Sequence, residues 1–421
     1  MTTGPSTLDA VVAGLGAMLG AGVFAGLAPA SALAGRWLLL GAVIAGLIAL
    51  CSAFSTADHA SADPGSGGGY RYTREQLGRL PGRMAGGVYL VGRAAAAAAL
   101  ADCFGNYATP SRPMLTGVVV VLAAVAADAA GIRLSRTVTR VLVGFVLVVL
   151  AIVIACCFAI APPAPTGVPL PAGFPGSDNV GELLPAAGVM FFCFLGFERI
   201  TAPAADHAVI PRKRLVIAVP VLIVLALGSY LAVSAAVLHQ LGPNRLALSP
   251  VPLTDAMAAA DATPIAPLVS MAALAATAGA LLLVVGGARR TAEVMAGRGD
   301  LPPTPKTPGH GRLRLPAAVL IGVGSVVATV LLSPTRAIVL AATCALAYYA
   351  FTNAAARLLL RGERVWPARS ACFGLGLCVL VALVMPSADL VVALFGMAAG
   401  LLLGPLATAI RGARRYVRHR G

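Results

Sequence analysis

Long apolar stretches recur along the whole chain and are separated by short polar segments rich in glycine, proline and arginine. A helix needs roughly 20 apolar residues to cross a bilayer, and twelve stretches approach or exceed that length. The pattern predicts an all-α integral membrane protein with about twelve transmembrane helices. The predicted spans are 10–34, 37–57, 84–107, 114–130, 141–161, 183–203, 215–239, 264–288, 316–332, 337–356, 370–386 and 390–410, of which the fourth, ninth and eleventh are short.

The first and sixth spans carry glycines near their middle: Gly14, Gly16, Gly20 and Gly22 in the first, and Gly196 in the sixth. Glycine costs a helix interior about 1 kcal/mol relative to alanine. A backbone group released from a helix inside hydrocarbon needs another partner. We therefore predict that helices 1 and 6 are broken where a ligand binds. Because each opens a block of five spans, the order predicts an inverted five-plus-five helix repeat followed by two C-terminal helices.

The domain organisation follows from the same pattern, since no linker is long enough to separate a soluble domain. We expect one transmembrane domain over 1–421. Within it, the first five spans and the broken sixth occupy about 10–203. The second repeat occupies about 183–356, and spans 11 and 12 occupy about 370–410.

Composition and charge support a membrane protein. The chain is 59% hydrophobic and 11% charged, and its net charge of +15 is unevenly distributed. In the twelve-span arrangement, 25 lysines and arginines lie on the side of both termini, four lie on the other side and two lie within spans. This asymmetry predicts a multi-pass protein of the cell (inner or plasma) membrane with cytoplasmic N- and C-termini. The lipid bilayer is the expected partner, and no nucleic acid is expected.

Catalytic and metal-binding patterns are missing from the sequence. The eight cysteines lie mostly in predicted spans and form no C-x-x-C pair, and the five histidines are scattered without an H-E-x-x-H motif. We therefore expect no metal site, no cofactor and no catalytic residue. The chain is not predicted to be an enzyme.

Several segments resemble a known family when they are taken together and in order. They combine glycine runs, an acidic and Pro-x-Ser-Gly-Gly-x-Tyr-like stretch, an aromatic–Gly–Phe–Glu stretch, a Pro-x-Arg-like segment and an Arg…Met-Ala…Asp…Pro segment. This set is similar to the motifs of the amino acid–polyamine–organocation superfamily, and the chain is identified as a permease of that superfamily by resemblance. The segments are 14–24, 57–72, 191–198, 209–214 and 290–302.

The resemblance implies that a bound amino acid lies between the two broken helices. Backbone amides after the break in the first span would face the positive end of a half-helix, which suits a carboxylate. Carbonyls near the break in the sixth span would take the ammonium group, and an aromatic ring would cover the substrate. The implied substrate-binding residues are Met18, Gly20, Ala21, Gly22, Phe191, Phe192, Cys193 and Gly196.

Both halves of this predicted site have a structural alternative. In the first span, Gly16 and Gly20, like Gly22 and Gly26, are small-xxx-small pairs that are typical of close helix packing. In the sixth span, the ring of Phe192 could instead belong to a lipid-facing aromatic stripe.

Charged residues inside predicted spans include Arg93 in the third, and Glu198 and Arg199 in the sixth. Each costs about 2.5–3.5 kcal/mol on insertion scales, so such residues face cavities or pair. We consider two hypotheses for Arg93, pairing with Glu198 or forming an anion-attracting vestibule. Glu198 falls on the family's glutamate and is predicted to act as a gate or proton-sensitive switch. A structural hydrogen bond from Glu198 to the first span is the alternative.

The sequence does not specify which ion, if any, drives transport. Family members that use sodium place Ser or Thr hydroxyls on the eighth span, where this chain has Gly279. Some proton-coupled members carry a lysine in the fifth span, where this chain has Val146. Proton symport through Glu198, exchange and uncoupled diffusion are the three alternatives.

The sequence thus predicts a secondary active transporter that moves an amino acid or a related amine by alternating access, with a proton as the candidate coupling ion. A polyamine or organocation carrier or exchanger is one alternative, and the scarcity of acidic residues within spans weighs against it. A non-transporting membrane sensor or partner subunit with a degenerate permease fold is the alternative from another class. The pattern does not specify which amino acid is moved.

Overall fold

The computed structural model describes residues 6–63, 65, 67–163, 180–201, 211–302 and 314–418, without the side chains at positions 21, 36, 180, 314–315 and 406–418. Regular structure within these ranges is entirely helical. The helices are α1 (Thr7–Ala25), α2 (Leu27–Ala34), α3 (Leu38–Ala62), α4 (Gly68–Gln76), α5 (Arg79–Ala108), α6 (Pro113–Ala129), α7 (Arg136–Ala159), α8 (Leu183–Cys193), α9 (Arg212–Leu248), α10 (Pro252–Ala259), α11 (Ala266–Gly297), α12 (Arg314–Leu331), α13 (Pro334–Ala356), α14 (Ala368–Leu383) and α15 (Ser387–Arg418).

Every predicted span coincides with a helix or with a pair of consecutive helical segments. In the described ranges, nine helical segments are long and apolar enough to cross a membrane. The shorter apolar helices α6, α12 and α14 coincide with the fourth, ninth and eleventh predicted spans, which are the short ones. The short helices α4 and α10 lie in connections between spans.

Serine side chains fix the start of three helices by satisfying free backbone amides. Ser6 and Asp9 form a capping box at α1, in which Ser6 Oγ accepts from the Asp9 amide at 3.1 Å and the Asp9 carboxylate accepts from the Ser6 amide at 3.0 Å. Ser135 accepts from the Val138 amide at the start of α7. Ser333 caps α13 in the same way.

The first span is interrupted, but at Gly26 and not at the predicted position. The helix α1 is continuous through Gly20 and Gly22 and ends at Ala25, and the Gly26 amide still donates to the Gly22 carbonyl at 3.0 Å. The prediction that the glycines between positions 14 and 22 mark the break is therefore wrong. A Cβ at Gly20 would lie 2.2 Å from the Ala276 carbonyl oxygen of α11. Close helix packing, the alternative drawn from the small-xxx-small pairs, accounts for this glycine.

The sixth span is interrupted where the sequence predicts. The helix α8 ends at Cys193, a turn follows, and a single 3-10 turn covers Phe197–Ile200. Gly196 has φ of 122°, a conformation that only glycine adopts without strain. The close approach of α1 adds a second requirement, because a Cβ on Gly196 would lie 2.7 Å from the Ala17 Cβ.

Burial separates central helices from peripheral ones. In the most apolar stretches of α13 and of the sixth span, 78% of residues are buried, against 28% in α15. The peripheral helices direct large apolar side chains outwards, among them Val119 of α6, Val148 of α7 and Phe395 of α15. Apolar outer faces of this extent fit a lipid environment. The central helices α1, α5, α8, α11 and α13 pack on one another and position the cavity described next.

Candidate functional site

A cavity of about 1000 Å³, part of it open to solvent, adjoins the interruption of the sixth span. Its wall includes Phe192, Gly196 and Glu198 from this interruption. It extends to the glycines 67–69 that precede and begin α4, at one end of the helix bundle. Residues from α1, α5, α8, α11 and α13 line it, which are the predicted spans 1, 3, 6, 8 and 10. Thr56 of α3 also contributes.

Glu198 is the centre of the polar contacts in this cavity. The Arg93 guanidinium of α5 donates to Glu198 Oε1 and forms an ion pair with it. Glu198 Oε2 accepts from the Gly196 amide at 3.0 Å and from Tyr349 Oη of α13 at 2.9 Å. The Arg93 guanidinium also lies 4.8 Å from the Tyr89 ring centroid, within range of a cation–π contact. Glu198 thus connects the interrupted span to α5 and α13.

The arginine–glutamate pairing considered from the sequence is therefore present. The alternative in which Glu198 bonds to the first span is not seen among the described hydrogen bonds, which run to α5, to α13 and to its own segment. The gating or coupling role of Arg93 and Glu198 stays a prediction.

The first and sixth spans meet directly beside the cavity. Cys193 Sγ donates to the Gly22 carbonyl at 3.4 Å, and Tyr230 Oη of α9 donates to the Cys193 carbonyl at 2.6 Å. A Cβ on Gly22 would lie 2.8 Å from the Cys193 Cβ. Gly22 therefore serves the contact between α1 and α8 in this structure.

The turn after α8 leaves backbone acceptors for a ligand. The carbonyls of Phe191 and Phe192 accept from the amides of Phe194 and Leu195 at 3.0 and 3.1 Å. Among the described residues, no hydrogen bond reaches the carbonyls of Phe194 and Leu195. Unwound carbonyls next to a cavity are suited to an ammonium group or a cation.

The predicted site residues fall into two groups. Phe192, Gly196, Arg93 and Glu198 line the cavity. Met18, Gly20, Gly22, Phe191 and Cys193 are buried in the packing around it, and Ala21 lies within α1 with a side chain outside the described part. Their roles in substrate binding stay predictions.

The sequence patterns did not identify the tyrosines of the cavity wall, Tyr89, Tyr348 and Tyr349. Tyr349 is 1% exposed, and its ring contacts Phe191 and Phe197 while its hydroxyl bonds to Glu198. The available signal was the adjacent pair of tyrosines in an alanine-rich span, because a buried phenol usually has a hydrogen-bond partner.

Basic side chains outnumber acidic ones in the described cavity wall. Arg93, Arg199 and Arg290 line it, and Glu198 is the acidic residue among the lining positions. Arg93 is paired with Glu198. Arg199 and Arg290 are both partly buried and lie on different elements, the 3-10 turn of the sixth span and α11.

A second polar cluster joins two of the motifs found in the sequence. Asp300, which follows α11, is fully buried and accepts from Tyr70 Oη at 2.6 Å, from Arg74 Nε at 2.7 Å and from Arg83 Nε at 2.9 Å. Although burial opposes ionisation, these three hydrogen bonds hold the pKa of Asp300 below its ordinary value of 3.8. The cluster ties α4 and the start of α5 to the end of α11.

The chain is similar to known transporters along its whole length. The family model described as amino acid permease matches residues 6–409. An uncharacterized transporter of Mycobacterium tuberculosis is 37% identical over 416 residues, which cover 98% of this chain and 91% of that protein. Cationic amino acid transporter 4 of Mus musculus is 27% identical over 57% of this chain and 42% of that protein. The branched-chain amino acid permease BcaP of Bacillus subtilis is 27% identical over 49% of this chain and 48% of that protein.

The fold also matches a solved structure. A mutant form of the manganese transporter of Eremococcus coleocola superimposes with a TM-score of 0.59 at 13% identity, and the match covers 98% of this chain and 97% of that chain. At this identity the likeness concerns the fold alone. It confirms the predicted fold class, an all-α integral membrane protein with helices 1 and 6 interrupted.

Proposed function

The chain belongs to the amino acid permease family, and from this premise we propose that it moves an amino acid or a related amine across the membrane by alternating access. The family confirms the resemblance drawn from the sequence motifs and makes the chain a multi-pass membrane transporter. The proposal adds the substrate class and the mechanism. One observation carries it: the interruption of the sixth span adjoins a cavity that is lined by charged side chains.

The geometry offers groups for each part of an amino acid. The free carbonyls of Phe194 and Leu195 and the carboxylate of Glu198 suit an ammonium group. The ring of Phe192, which is 1% exposed, is placed to cover an apolar part of the substrate. Binding at an interrupted helix near mid-membrane is the arrangement that alternating access requires, because two bundles can then move around one site.

Two alternatives remain to be tested against this proposal. A polyamine carrier needs acidic groups along its path, whereas basic residues predominate among the described lining positions. A non-transporting sensor would bind a ligand without moving it. We further propose that the chain forms one transmembrane permease domain in the cell membrane, with both termini cytoplasmic and without enzymatic activity.

Proton coupling is proposed through Glu198, the acidic side chain among the described lining residues. A Glu198→Gln variant would then lose its response to a proton gradient, while the carbonyls of Phe194 and Leu195 would still bind the ammonium group and allow a reduced exchange of substrate. Unaltered gradient dependence in this variant would leave exchange or uncoupled diffusion as the mechanism.

Reconstitution into liposomes tests the transport proposal. Purified protein would be assayed with labelled neutral, acidic and basic amino acids and with spermidine, with and without proton and sodium gradients. We expect amino acid uptake, or exchange from preloaded vesicles, above protein-free liposomes. Absence of both uptake and exchange for every amino acid would contradict the proposal, and binding without uptake would favour the sensor.

A further inference from the structure

The charges in the cavity do not balance within the described chain. Arg93, Arg199 and Arg290 contribute three positive charges, and Glu198 contributes one negative charge. The ion pair between Arg93 and Glu198 neutralises one of each. Two guanidinium groups, those of Arg199 and Arg290, remain on opposing elements of the same cavity.

Neither guanidinium forms a direct ion pair with a carboxylate among the described residues. The hydrogen bonds and ion pairs of the described ranges include none from the side chain of Arg199 or of Arg290. Their neighbour Arg289 in α11 illustrates the contrast, because its guanidinium pairs with Asp128 and Glu293. A partly buried arginine without a direct ion pair is costly within a membrane protein.

We propose that the transported substrate supplies the missing anion, and that it is a small molecule with two carboxylates, such as an acidic amino acid. This inference rests on the proposed transport function and specifies its substrate class. One carboxylate is held between the guanidinium groups of Arg199 and Arg290. Guanidinium binds carboxylate in a planar, two-pronged geometry, which gives both strength and orientation.

The cavity also accommodates the rest of such a substrate. The ammonium group of an acidic amino acid finds acceptors in the Glu198 carboxylate and in the free carbonyls of Phe194 and Leu195. The excess positive charge disfavours a basic substrate in the same place, because like charges in a desolvated cavity repel. The printed names of two relatives concern cationic and branched-chain amino acids, so this chain would differ from them in selectivity.

Counterflow in proteoliposomes tests the substrate class. We would compare labelled glutamate and aspartate with their uncharged amides, glutamine and asparagine, and add leucine, arginine and succinate. We expect the acidic amino acids to exchange at least tenfold more efficiently than their amides. Arg199→Gln and Arg290→Gln should each lower exchange of the acidic substrate by roughly 10- to 100-fold, the usual effect of losing a charged hydrogen bond. Exchange of the amide, which lacks the second carboxylate, should fall by less than exchange of the acidic substrate in both variants.

Controls separate a folding defect from a selectivity change. Arg361→Gln removes an exposed arginine that is not among the cavity-lining residues and should leave the preference unchanged. Arg199→Lys keeps the charge and should retain more acidic exchange than Arg199→Gln. Only variants that are monodisperse in detergent would be reconstituted and compared in the exchange assay.

The outcomes distinguish the two proposals. Exchange of neutral or basic amino acids without a preference for acidic ones would overturn the anionic substrate and leave the amino acid proposal intact. Exchange of succinate but of no amino acid would support the two-carboxylate site and overturn the amino acid proposal. No exchange of any compound would overturn both.

Discussion

Tyr70 Oη donates a hydrogen bond of 2.6 Å to Asp300 Oδ2, although the two residues are 230 positions apart in the chain. The same carboxylate accepts from Arg74 and Arg83. Two motifs that were recognised separately in the sequence, one over 57–72 and one over 290–302, thus contribute to a single cluster. Because both neighbouring segments also contribute to the cavity wall, the cluster holds two walls of the candidate site in register.

Replacement of Asp300 by asparagine should destabilise the protein. The variant leaves Arg74 and Arg83 without their carboxylate, and loss of one partner in a buried ion pair costs about 3–5 kcal/mol. We expect a lower thermal unfolding midpoint in detergent, measured by intrinsic fluorescence. Asp261→Asn is the matched control, because Asp261 is exposed and has φ of 48°, which asparagine tolerates. Equal midpoints for the two variants would contradict a stabilising role for the cluster.

The same cluster predicts a pH dependence of stability. The pKa of Asp300 is lower in the folded protein than its ordinary value of 3.8, as the hydrogen bonds outweigh the effect of burial. A depressed folded-state pKa contributes stability that is present above the unfolded value and is lost as pH falls through the folded value. The wild-type midpoint should therefore drop between pH 5 and pH 3 by more than that of Asp300→Asn. Parallel pH profiles for the two proteins would refute this assignment.

Arg93 and Glu198 should show strong energetic coupling. Among the described residues, Glu198→Gln leaves the Arg93 guanidinium without its ion-pair partner, and Arg93→Met leaves the Glu198 carboxylate with the Gly196 amide and Tyr349 as its remaining hydrogen-bond partners. Because each single change leaves an unpaired charge, the double variant should be more stable than the sum of the two effects by about 1–3 kcal/mol. The unfolding midpoints of the wild type, the two single variants and the double variant form a double-mutant cycle, which measures the coupling free energy between Arg93 and Glu198. Additive effects would mean that the contact contributes no net stability.

The packing role of Gly20 is tested by alanine. A Cβ there would lie 2.2 Å from the Ala276 carbonyl oxygen, a backbone atom that cannot move without shifting α11. Overpacking of this kind costs about 1–3 kcal/mol. Gly228→Ala in α9 is the control, because a Cβ at Gly228 meets nothing within 4 Å, and it should be neutral or stabilising by up to about 1 kcal/mol. If Gly20→Ala is as stable as Gly228→Ala but no longer binds substrate, the glycine belongs to the binding site.

The span positions could be predicted from the sequence because hydropathy over about 20 residues is a local property that the bilayer imposes. The interruption of the sixth span was also predictable, because the sequence has a glycine there and Gly196 adopts a φ that other residues avoid. The position of the break in the first span could not be predicted from the sequence. Whether Gly20 unwinds the helix or allows close packing depends on Ala276, more than 250 residues away, and helix propensity carries no information about that contact.

The candidate site was predictable only in part for the same reason. The intramembrane charges of Arg93 and Glu198 indicated a pair, because charges inside a membrane need partners. The signal for Tyr349, its place in an adjacent pair of tyrosines, was weaker, since tyrosine also occurs in membrane spans without a polar role. Arg290 was assigned to the 290–302 motif, which begins within α11, and its position in the cavity wall depends on the packing around α11.

The direction in which the cavity opens gives a final prediction. The cavity extends to the glycines before α4, and the positive charge of the following connection is expected to face the cytoplasm. In a background with the two incompletely buried cysteines, Cys156 and Cys372, replaced by alanine, Leu283→Cys in the cavity wall should react with a membrane-impermeant thiol reagent in inside-out vesicles. Substrate should protect this cysteine from the reagent.

Two controls accompany this test. Val269→Cys, at a fully buried position of the same helix, should stay unmodified, and Asp261→Cys should react only in right-side-out vesicles. If Leu283→Cys is labelled from the outside alone, either the chain has the opposite orientation in the membrane or the cavity opens to the outside. Labelling of Asp261→Cys distinguishes these two explanations, because it reports the orientation alone.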